Sequence, residues 1–406
     1  MTDRPPLPAW RCAAFPLAVG LAIAPPVAVL QSKAMAPLAL VTLALVVVAH
    51  LRAGRGLPWP KAPLAWLVLA LGGFGMLSAA WAVLPGYALQ AGAGVAGLGL
   101  LGGAAARAIA ADTPEHRAMV GRGVFWGVLV GLVVALTDAA TGNALRAVVR
   151  LGYVPRDLAT GLKPAASVLA LLLPLAVMVP TRLWARCAVA VAGIGGVMLL
   201  PGDTARLSAV AGVASLTIAL AVPRLVRPAM AGFLALLLLA GPVALGVVLA
   251  RGVPADRLPV SAAHRFLIWD FADARIAERP MLGWGLESSR QMPGGKGQAS
   301  AEALTRFGLT SPQHREWFAN PAAEMMPLHP HNLALQVRLE LGWPGAVLAA
   351  GVAVAAAMGA CVAGLGVLAA ASVSALLSFG AWQMWWLGSM ALAAVAAGAI
   401  QPRRTT

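Results

Sequence analysis

Apolar residues recur along this chain in long runs that are separated by short polar connections. Nine runs precede residue 251, and their lengths suit helices that cross the roughly 30 Å hydrocarbon core of a bilayer. The first run contains Pro25 and Pro26 and is followed at once by further runs, which indicates a retained anchor rather than a cleaved signal peptide. The predicted spans are 13–30, 34–51, 62–83, 87–106, 123–140, 164–180, 187–201, 207–222 and 229–250.

A last apolar block, residues 343–400, carries no charged residue. It could hold two long helices or three short ones. Three helices with breaks near Gly364–Gly366 and Gly380–Trp382 fit the block best and predict about 12 spans in all. Tryptophans near the second break would then form an aromatic belt at the membrane interface. They are Trp382, Trp385 and Trp386.

Composition agrees with a membrane protein, and the basic residues give an orientation. The chain is 60% hydrophobic and 11% charged, whereas soluble domains are roughly 25% charged. Alternate connections carry the arginines and lysines, so the positive-inside rule assigns those connections to the cytoplasm. Both ends, with Arg4 and with Arg403–Arg404, follow them and require an even number of spans. The cytoplasmic connections hold Arg52, Arg55, Lys61, Arg107, Arg117, Arg122, Arg182, Arg186, Arg224 and Arg227.

The net charge of +15 also raises the question of nucleic-acid binding. Because the basic residues lie in short connections rather than on one soluble face, we expect no nucleic-acid partner. The orientation rule and an anionic ligand explain the charge better. A further group, Arg146, Arg150 and Arg156, indicates an interfacial helix, with attraction of lipid phosphates as the alternative.

Residues 251–342 depart from the apolar pattern and hold most of the carboxylates and four of the six histidines. The number of preceding spans places this segment in the periplasm, since long segments translocate regardless of charge. A long structured loop in a compact protein is usually functional. The predicted fold is therefore all-α, with 1–250 forming spans 1–9, 251–342 forming a partly helical periplasmic domain, and 343–406 forming the last spans and a cytoplasmic tail.

The end of this segment contains a candidate helix start. A helical apolar period begins after Pro330 and stops at the turn Gly342–Gly345. His331 and Asn332 would lie at the first turn, next to the positive end of the helix dipole. That end lowers the pKa of an imidazole and favours the neutral form, which can accept a proton. An ordinary polar role in a solvated loop is the alternative for His331.

The same residues form a spaced pattern. His331–Asn332 is followed after nine residues by Gly342-x-x-Gly345, with Gln336 and Glu340 between them. This pattern resembles the signature of the O-antigen ligase and O-antigen polymerase superfamily, whose members are bacterial inner-membrane glycan transferases. The resemblance implies many spans and a large periplasmic loop late in the chain.

Two upstream stretches extend the resemblance. Arg265–Trp269 and then Arg279–Gly285 are similar to the superfamily's R-x-x-x-W and P-x-x-G-x-G stretches. The superfamily also carries Ser-Arg just outside a mid-chain span. Arg206 is the matching arginine here, although Ala205 stands in place of the serine.

The resemblance implies a donor glycan that is linked to undecaprenyl diphosphate. Transfer would take place at the periplasmic face of the inner membrane, where the protein also contacts membrane lipids. The modest length of the loop and of the 406-residue chain favours the lipid A–core oligosaccharide as the acceptor. His331 would take the proton of the attacking hydroxyl. Arg265 and Arg206 would bind the diphosphate, because guanidinium forks match phosphate oxygens. The remaining substrate-binding candidates are Asn332, Gln336 and His329.

Several alternatives remain at this point. The acceptor could be another lipid-linked repeat unit, as in O-antigen or exopolysaccharide polymerases, or a protein hydroxyl. A transporter of lipid-linked glycans would need charged residues along its path, yet the spans are almost free of them apart from Asp138. No cofactor and no metal are expected, the zinc alternative being His329 and His331 with Glu324. Arg265 could instead form an ion pair with Asp270 or Asp273, and Arg206 could be a structural arginine.

The orientation can be tested at Ser300 in the predicted periplasmic segment. A Ser300→Cys variant should react with a membrane-impermeant thiol reagent in intact spheroplasts, because the segment faces outwards. The unsubstituted chain, with its three native cysteines, provides the background. Labelling that requires permeabilisation would contradict the orientation and move the candidate site to the cytoplasmic face.

Overall fold

A computed structural model describes residues 8–151, 158 and 160–400, which form a bundle of helices with a cap at one end. Arg4, Arg156, Arg403 and Arg404 lie outside the described residues. The helices are α1 (Ala14–Leu30), α2 (Met35–Arg52), α3 (Pro63–Leu77), α4 (Pro85–Ala110), α5 (Pro114–Ala140), α6 (Ala144–Val149), α7 (Leu162–Val177), α8 (Leu183–Met198), α9 (Asp203–Ala221), α10 (Pro223–Leu239), α11 (Gly241–Ala250), α12 (Val260–Glu278), α13 (Ala301–Arg306), α14 (Pro312–Phe318), α15 (Leu333–Gly359), α16 (Val362–Leu377) and α17 (Met384–Ile400).

Six helices in the described chain are long and apolar enough to span a membrane, namely α2, α3, α4, α5, α9 and α15. Helices α10 and α11 form a pair bent by 50° that would add one more span. The apolar helices α1, α7, α8, α16 and α17 are shorter. The all-helical fold of a membrane protein is therefore confirmed for this part of the chain, and the total of 12 spans stays a prediction.

The last apolar block forms three helices, as predicted, but its first break was predicted at the wrong place. The break lies at Ala360–Cys361, and Gly366 lies within α16. A Cβ atom on Gly366 would lie 2.8 Å from the carbonyl oxygen of Gly212 on α9. The glycine therefore permits close packing of α9 and α16 and does not interrupt the helix.

The predicted aromatic belt is wrong for two of its three tryptophans. Trp382 and Trp386 are buried within the protein. The indole of Trp382 donates a hydrogen bond to Glu340 across 2.6 Å, so this side chain is held by a buried carboxylate instead of facing lipid headgroups. Only Trp385 is partly exposed among the three.

The arginines after α5 do not all face the surroundings, and the interfacial helix stays a prediction. Arg146 is fully buried, and its Nε donates to Oδ2 of Asp138 across 2.6 Å. The backbone N–H of Arg146 donates to the other carboxylate oxygen across 2.9 Å. Helix α6 therefore folds back onto the end of α5, and Nε of Arg150 donates to the carbonyl oxygen of Leu30.

Small residues allow α5 to pack directly on the backbone of α1. Gly123, Gly127 and Gly131 lie four residues apart on one face of α5. Cβ atoms at the first two would lie 2.2 Å from the carbonyl oxygens of Ala18 and Leu21. Such contacts are typical of closely packed helices in membranes, where dispersion attraction replaces the hydrophobic effect.

The cap consists of α12, α13, α14 and their connections, with an apolar core of its own. Phe307 and Phe318 are buried against Leu249 and Leu267, which ties the cap to the end of α11. A second cluster, which includes Ile268 and residues of α15, joins α12 to the bundle. This segment is thus partly helical, and its status as a separate periplasmic domain stays a prediction.

Helix α15 is broken at Gly342, at the place where the sequence predicted a turn. Gly342 adopts φ 60° and ψ −153°, and Pro344 follows within the same helix. A Cβ atom on Gly342 would lie 1.9 Å from the carbonyl oxygen of Met281. Both the backbone conformation and the space therefore require glycine at this position.

The glycine-rich stretch of the cap closes this break. The backbone N–H groups of Trp284 and Gly285 donate to the carbonyl oxygens of Leu339 and Glu340, at 3.0 and 2.7 Å. These carbonyls would otherwise lack a partner, because the helix is interrupted after them. Gly283, with φ 68°, lets this segment approach α15 closely. Residues 283–285 of the glycine-rich stretch thus join the cap to the bundle.

Replacement of Gly342 tests the role of this junction. Gly342→Ala should lower the free energy of unfolding by roughly 2 kcal/mol or more, because it adds backbone strain and a backbone clash. Gly97→Ala is the matched control, since a Cβ atom there meets nothing within 4 Å. The control should unfold at the wild-type temperature or slightly above it. Equal melting temperatures for the two variants in detergent would contradict a requirement for glycine.

Candidate active site

His331 lies between the cap and the loop that connects α16 and α17. Its ring Nδ1 lies 2.6 Å from the carbonyl oxygen of Ser378. Since a carbonyl only accepts, Nδ1 carries the proton, and the lone pair of the neutral ring is on Nε2. The backbone of His331 has φ 55°, an unusual value for a residue other than glycine. Residues held in this region often occur at functional sites.

The pKa of His331 is lowered mainly by burial, and the positive charge of Arg265 lowers it further. The hydrogen bond to Ser378 opposes this shift only in part. His331 is therefore neutral around neutral pH and able to accept a proton through Nε2. The helix start had predicted a lowered pKa, and the structure adds burial as its main cause.

His329 contacts both the ring and the backbone of His331. The ring of His329 is buried, its centroid lies 4.2 Å from that of His331, and its Nδ1 accepts the backbone N–H of His331. Burial lowers the pKa of His329 to about 3, and the neighbouring His331, Arg290 and Arg265 add to the effect. His329 is thus a neutral, buried acceptor that fixes the backbone of His331.

Asn332 begins helix α15, as predicted. It has an extended backbone, and its side-chain oxygen accepts the N–H of Leu335 at 3.1 Å. This is the usual arrangement of a residue that caps a helix N-terminus. The cap fixes the start of α15 directly after His331. Contact of Asn332 with substrate stays a prediction.

The oxygen and the nitrogen of the Gln336 side-chain amide both form hydrogen bonds within the protein. Its oxygen accepts the N–H of Ala381 at 2.8 Å, and its nitrogen donates to Glu340 at 3.1 Å. The side chain is buried one turn above Glu340. Gln336 therefore connects α15 to the loop that carries Ser378, and its predicted contact with substrate is not tested by this geometry.

Glu340 is fully buried and is the acceptor for several segments. Its carboxylate accepts the N–H of Glu287 at 2.7 Å, the indole N–H of Trp382 at 2.6 Å and the hydroxyl of Ser289. The neighbouring Arg338 does not pair with Glu340, because its Nη1 donates to the carbonyl oxygen of Pro280 at 2.8 Å.

Arg265 lies on α12, beside both histidines. Its positive charge lowers the pKa of His329 and His331, and burial lowers the pKa of Arg265 itself. Within residues 8–151, 158 and 160–400, no carboxylate forms an ion pair with Arg265. The alternative partner Asp270 is paired with Arg306 instead. The guanidinium is therefore free to neutralise a bound anion.

Arg206 lies in the first turn of α9. Its Nη1 donates to Asp203 at 3.0 Å, and its Nη2 donates to the carbonyl oxygen of Leu200 at 3.0 Å. The charge of Asp203 also raises the pKa of Arg265, against the larger effect of burial. Asp203 thus pairs with Arg206 and acts on Arg265 through its charge, and a common phosphate site for the two arginines stays a prediction.

Sequence reasoning missed a third cation near His329. Arg290 is held by Glu287, with Nε to Oε2 at 2.5 Å and Nη2 to Oε1 at 3.2 Å, and it lies over the ring of Tyr87. A small polar cavity of about 40 Å³ lies between Arg290, His329 and Gln383. Glu287 and Ser289 were also missed. The one sequence signal for this group was Glu340, the acidic residue of α15.

The zinc alternative finds no ligand set in the described part of the chain. No group of three His, Cys, Asp or Glu residues there could hold a metal ion. The carboxylate of Glu324 binds Lys296 at 2.7 Å, and its carbonyl oxygen accepts from His264. Glu324 is therefore directed away from the histidine pair.

Comparison with known proteins identifies the same region. Residues 188–350 match a family model described as O-antigen ligase. This interval contains Arg206, Arg265, the glycine stretch 279–285 and the His331 motif. The resemblance inferred from those motifs is thereby confirmed.

Three curated relatives carry the provisional name polysaccharide ligase. The protein of Rickettsia conorii is 40% identical over 88 residues, which are 22% of this chain and 18% of the relative. That of Rickettsia felis is 31% identical over 131 residues, 31% of this chain and 28% of the relative. That of Rickettsia bellii is 30% identical over 137 residues, 32% and 30% of the two chains. The chain thus matches less than a third of each relative's length, and no solved structure matches it.

The buried state of His329 predicts an acid-sensitive fold. The pKa of His329 is about 3 in the folded protein against 6.5 ordinarily. Between these two pKa values, the unfolded chain therefore binds more protons than the folded protein. The free energy of unfolding falls as the pH drops below 6.5. His329→Gln should make the melting temperature less dependent on pH between neutral and about pH 5. An unchanged pH dependence would contradict a buried neutral His329.

Proposed function

We propose, from the match of residues 188–350 to the O-antigen ligase family, that this chain is a membrane glycosyltransferase. It transfers a glycan from undecaprenyl diphosphate to the lipid A–core oligosaccharide at the periplasmic face of the inner membrane. One observation carries the proposal. The neutral ring of His331, with Nε2 available to a proton, lies beside Arg265, a cation that no described carboxylate pairs with.

His331 acts as the base in the proposed reaction. A hydroxyl oxygen of the acceptor attacks the anomeric carbon of the donor, and its proton passes to Nε2 of His331. The bond between the anomeric carbon and the diphosphate oxygen breaks, and its electron pair leaves with the diphosphate. The Ser378 carbonyl stabilises the resulting imidazolium through Nδ1–H, at 2.6 Å in the structure. A positioned base of this kind contributes roughly 10²–10⁴-fold in rate.

Arg265 and Arg206 bind the diphosphate and stabilise the charge that develops as it leaves. They lie on separate helices and would contact different phosphate oxygens, and Asp203 holds the guanidinium of Arg206 before the donor binds. Two guanidinium groups can neutralise a diphosphate without a metal ion. The hydrogen bonds of His329, Asn332 and Gln336 favour a role in holding His331 and its loop over direct contact with the glycan.

Transport of the lipid-linked glycan is less well supported. Asp138, the main charged residue within the spans, is paired with Arg146 and buried, so it offers no polar path across the membrane.

Variants of the base and the cations should behave differently. His331→Ala should reduce transfer by about 10²-fold or more while leaving donor binding near normal, because a base contributes little to holding a diphosphate. Arg265→Ala should weaken donor binding and turnover together, and Arg265→Lys should restore only part, since a point charge replaces a fork. Arg206→Ala should resemble Arg265→Ala. The measurements are binding of a lipid-diphosphate analogue and glycan transfer by purified protein in nanodiscs.

Two substitutions away from the site serve as controls. His116→Ala, at the start of α5, removes an imidazole, and Arg315→Ala, on the cap helix α14, removes a guanidinium. Both variants should bind the donor analogue and transfer glycan as the wild type does. Near-normal transfer by His331→Ala would overturn the assignment of the base. Unchanged donor affinity in Arg265→Ala would overturn the phosphate site. Supplying lipid A–core or a second lipid-linked glycan as acceptor distinguishes the ligase from the polymerase reaction.

A further inference from the structure

An apolar cavity of about 600 Å³ lies inside the bundle, beyond the loop that holds Ser378. Helices α3, α4, α10, α15, α16 and α17 form its wall, with side chains such as Val95, Leu98, Leu238 and Leu376. The volume is within the range of roughly 300–1,000 Å³ that is typical of small-molecule sites. The cavity is therefore large enough for a hydrocarbon chain.

The wall offers such an occupant few hydrogen bonds. The hydroxyl of Ser372 donates to the carbonyl oxygen of Leu368 at 2.7 Å, within its own helix. The indole N–H of Trp382 is used by Glu340. Apolar side chains provide most of the remaining surface. These features favour a hydrocarbon occupant over a polar one.

Charge is present at one end of the cavity. Lys61 and Arg107 are the charged residues among the described residues of its wall, and both are exposed. Lys61 precedes α3, and Arg107 lies in the last turn of the antiparallel helix α4. The opposite ends of these helices meet the cap, where Trp81 donates to the carbonyl oxygen of Leu282. Neither cation forms an ion pair with a described carboxylate.

The cavity is long as well as apolar. The wall residues Val95 and Arg107 are twelve positions apart on α4, which corresponds to about 18 Å at the helical rise. We propose that this cavity binds an acyl chain of an anionic phospholipid, with the lipid phosphate between Lys61 and Arg107. Each basic residue near a membrane surface attracts an anionic headgroup, and here two lie at the mouth of an apolar space.

The position of the charges separates this lipid from the proposed donor. Under the proposed function, the donor diphosphate lies at Arg265 on the cap side, and the remainder of the donor lipid is an uncharged hydrocarbon. Such a molecule has no anionic group for Lys61 and Arg107, at the far end of the cavity. The two cations therefore indicate a second amphiphile that enters from the opposite side of the membrane.

A side chain placed in the cavity tests its occupancy. Gly102 lies on the wall, and a Cβ atom there meets only Ala391, at 4.0 Å. Gly97 on the same helix lies outside the wall and has nothing within 4 Å. Gly102→Leu should fill the space, and Gly97→Leu is the matched control. In native mass spectrometry with added phosphatidylglycerol, wild type and Gly97→Leu should retain the lipid, and Gly102→Leu should lose at least about tenfold in occupancy.

A second pair of variants tests the headgroup. Lys61→Gln with Arg107→Gln should reduce the preference for phosphatidylglycerol over phosphatidylethanolamine about tenfold. Arg122→Gln with Arg224→Gln removes the same charge from exposed arginines outside the cavity wall and should leave the preference unchanged. These surface substitutions preserve the bundle, so the test remains valid even if Gly102→Leu folds poorly.

Two results would overturn the lipid site. One is equal phosphatidylglycerol binding by wild type and a folded Gly102→Leu variant. The other is displacement of the bound phosphatidylglycerol by a polyprenyl diphosphate, which would assign the cavity to the donor. The site does not depend on His331, so full transfer activity in His331→Ala together with lipid loss in Gly102→Leu would refute the proposed base and leave the phospholipid site standing.

Discussion

The arrangement of the candidate site depends on the hydrogen bonds that the buried carboxylate of Glu340 accepts. It accepts hydrogen bonds from the cap through Glu287 and Ser289, and from the loop between α16 and α17 through Trp382. A buried carboxylate is costly unless its oxygens are hydrogen-bonded, so each of these segments is stabilised by reaching it. Three parts of the chain that are distant in sequence thus meet at one side chain. The loop that orients His331 is one of them.

The broken helix α15 makes this convergence possible. Its first half starts at Asn332 and ends at Gly342, which places His331 at one end and carbonyl oxygens without an intrahelical partner at the other. The glycine stretch of the cap satisfies those carbonyls. A continuous helix would have no acceptors to offer, and the cap would then lack its backbone attachment to the bundle.

The apolar runs predicted nearly every long helix, because bilayer thickness constrains the length of an apolar segment strongly. The apolar period after Pro330 also predicted a helix start at His331 or Asn332 and a turn beginning at Gly342. The partners of individual side chains could not be predicted from the sequence. Gly364–Gly366 and the tryptophans were misassigned because a glycine or an indole has the same local preference whether it faces lipid, a neighbouring helix or a carboxylate. The partners of Glu340 lie 51 and 42 residues away, which no local pattern reports.

The backbone contact between α5 and α1 has a consequence for biosynthesis. Gly127 packs on the carbonyl oxygen of Leu21, and the N–H of Ala14 donates to Asp112 at 2.7 Å. Translation at roughly 5–20 residues per second separates the synthesis of these partners by about 5–20 s. During that interval α1, with Pro25 and Pro26 inside it, has no α5 to cover the backbone on which Gly127 packs. The first helix of the nascent chain is therefore incompletely packed, and insertion factors or lipids have time to contact that face.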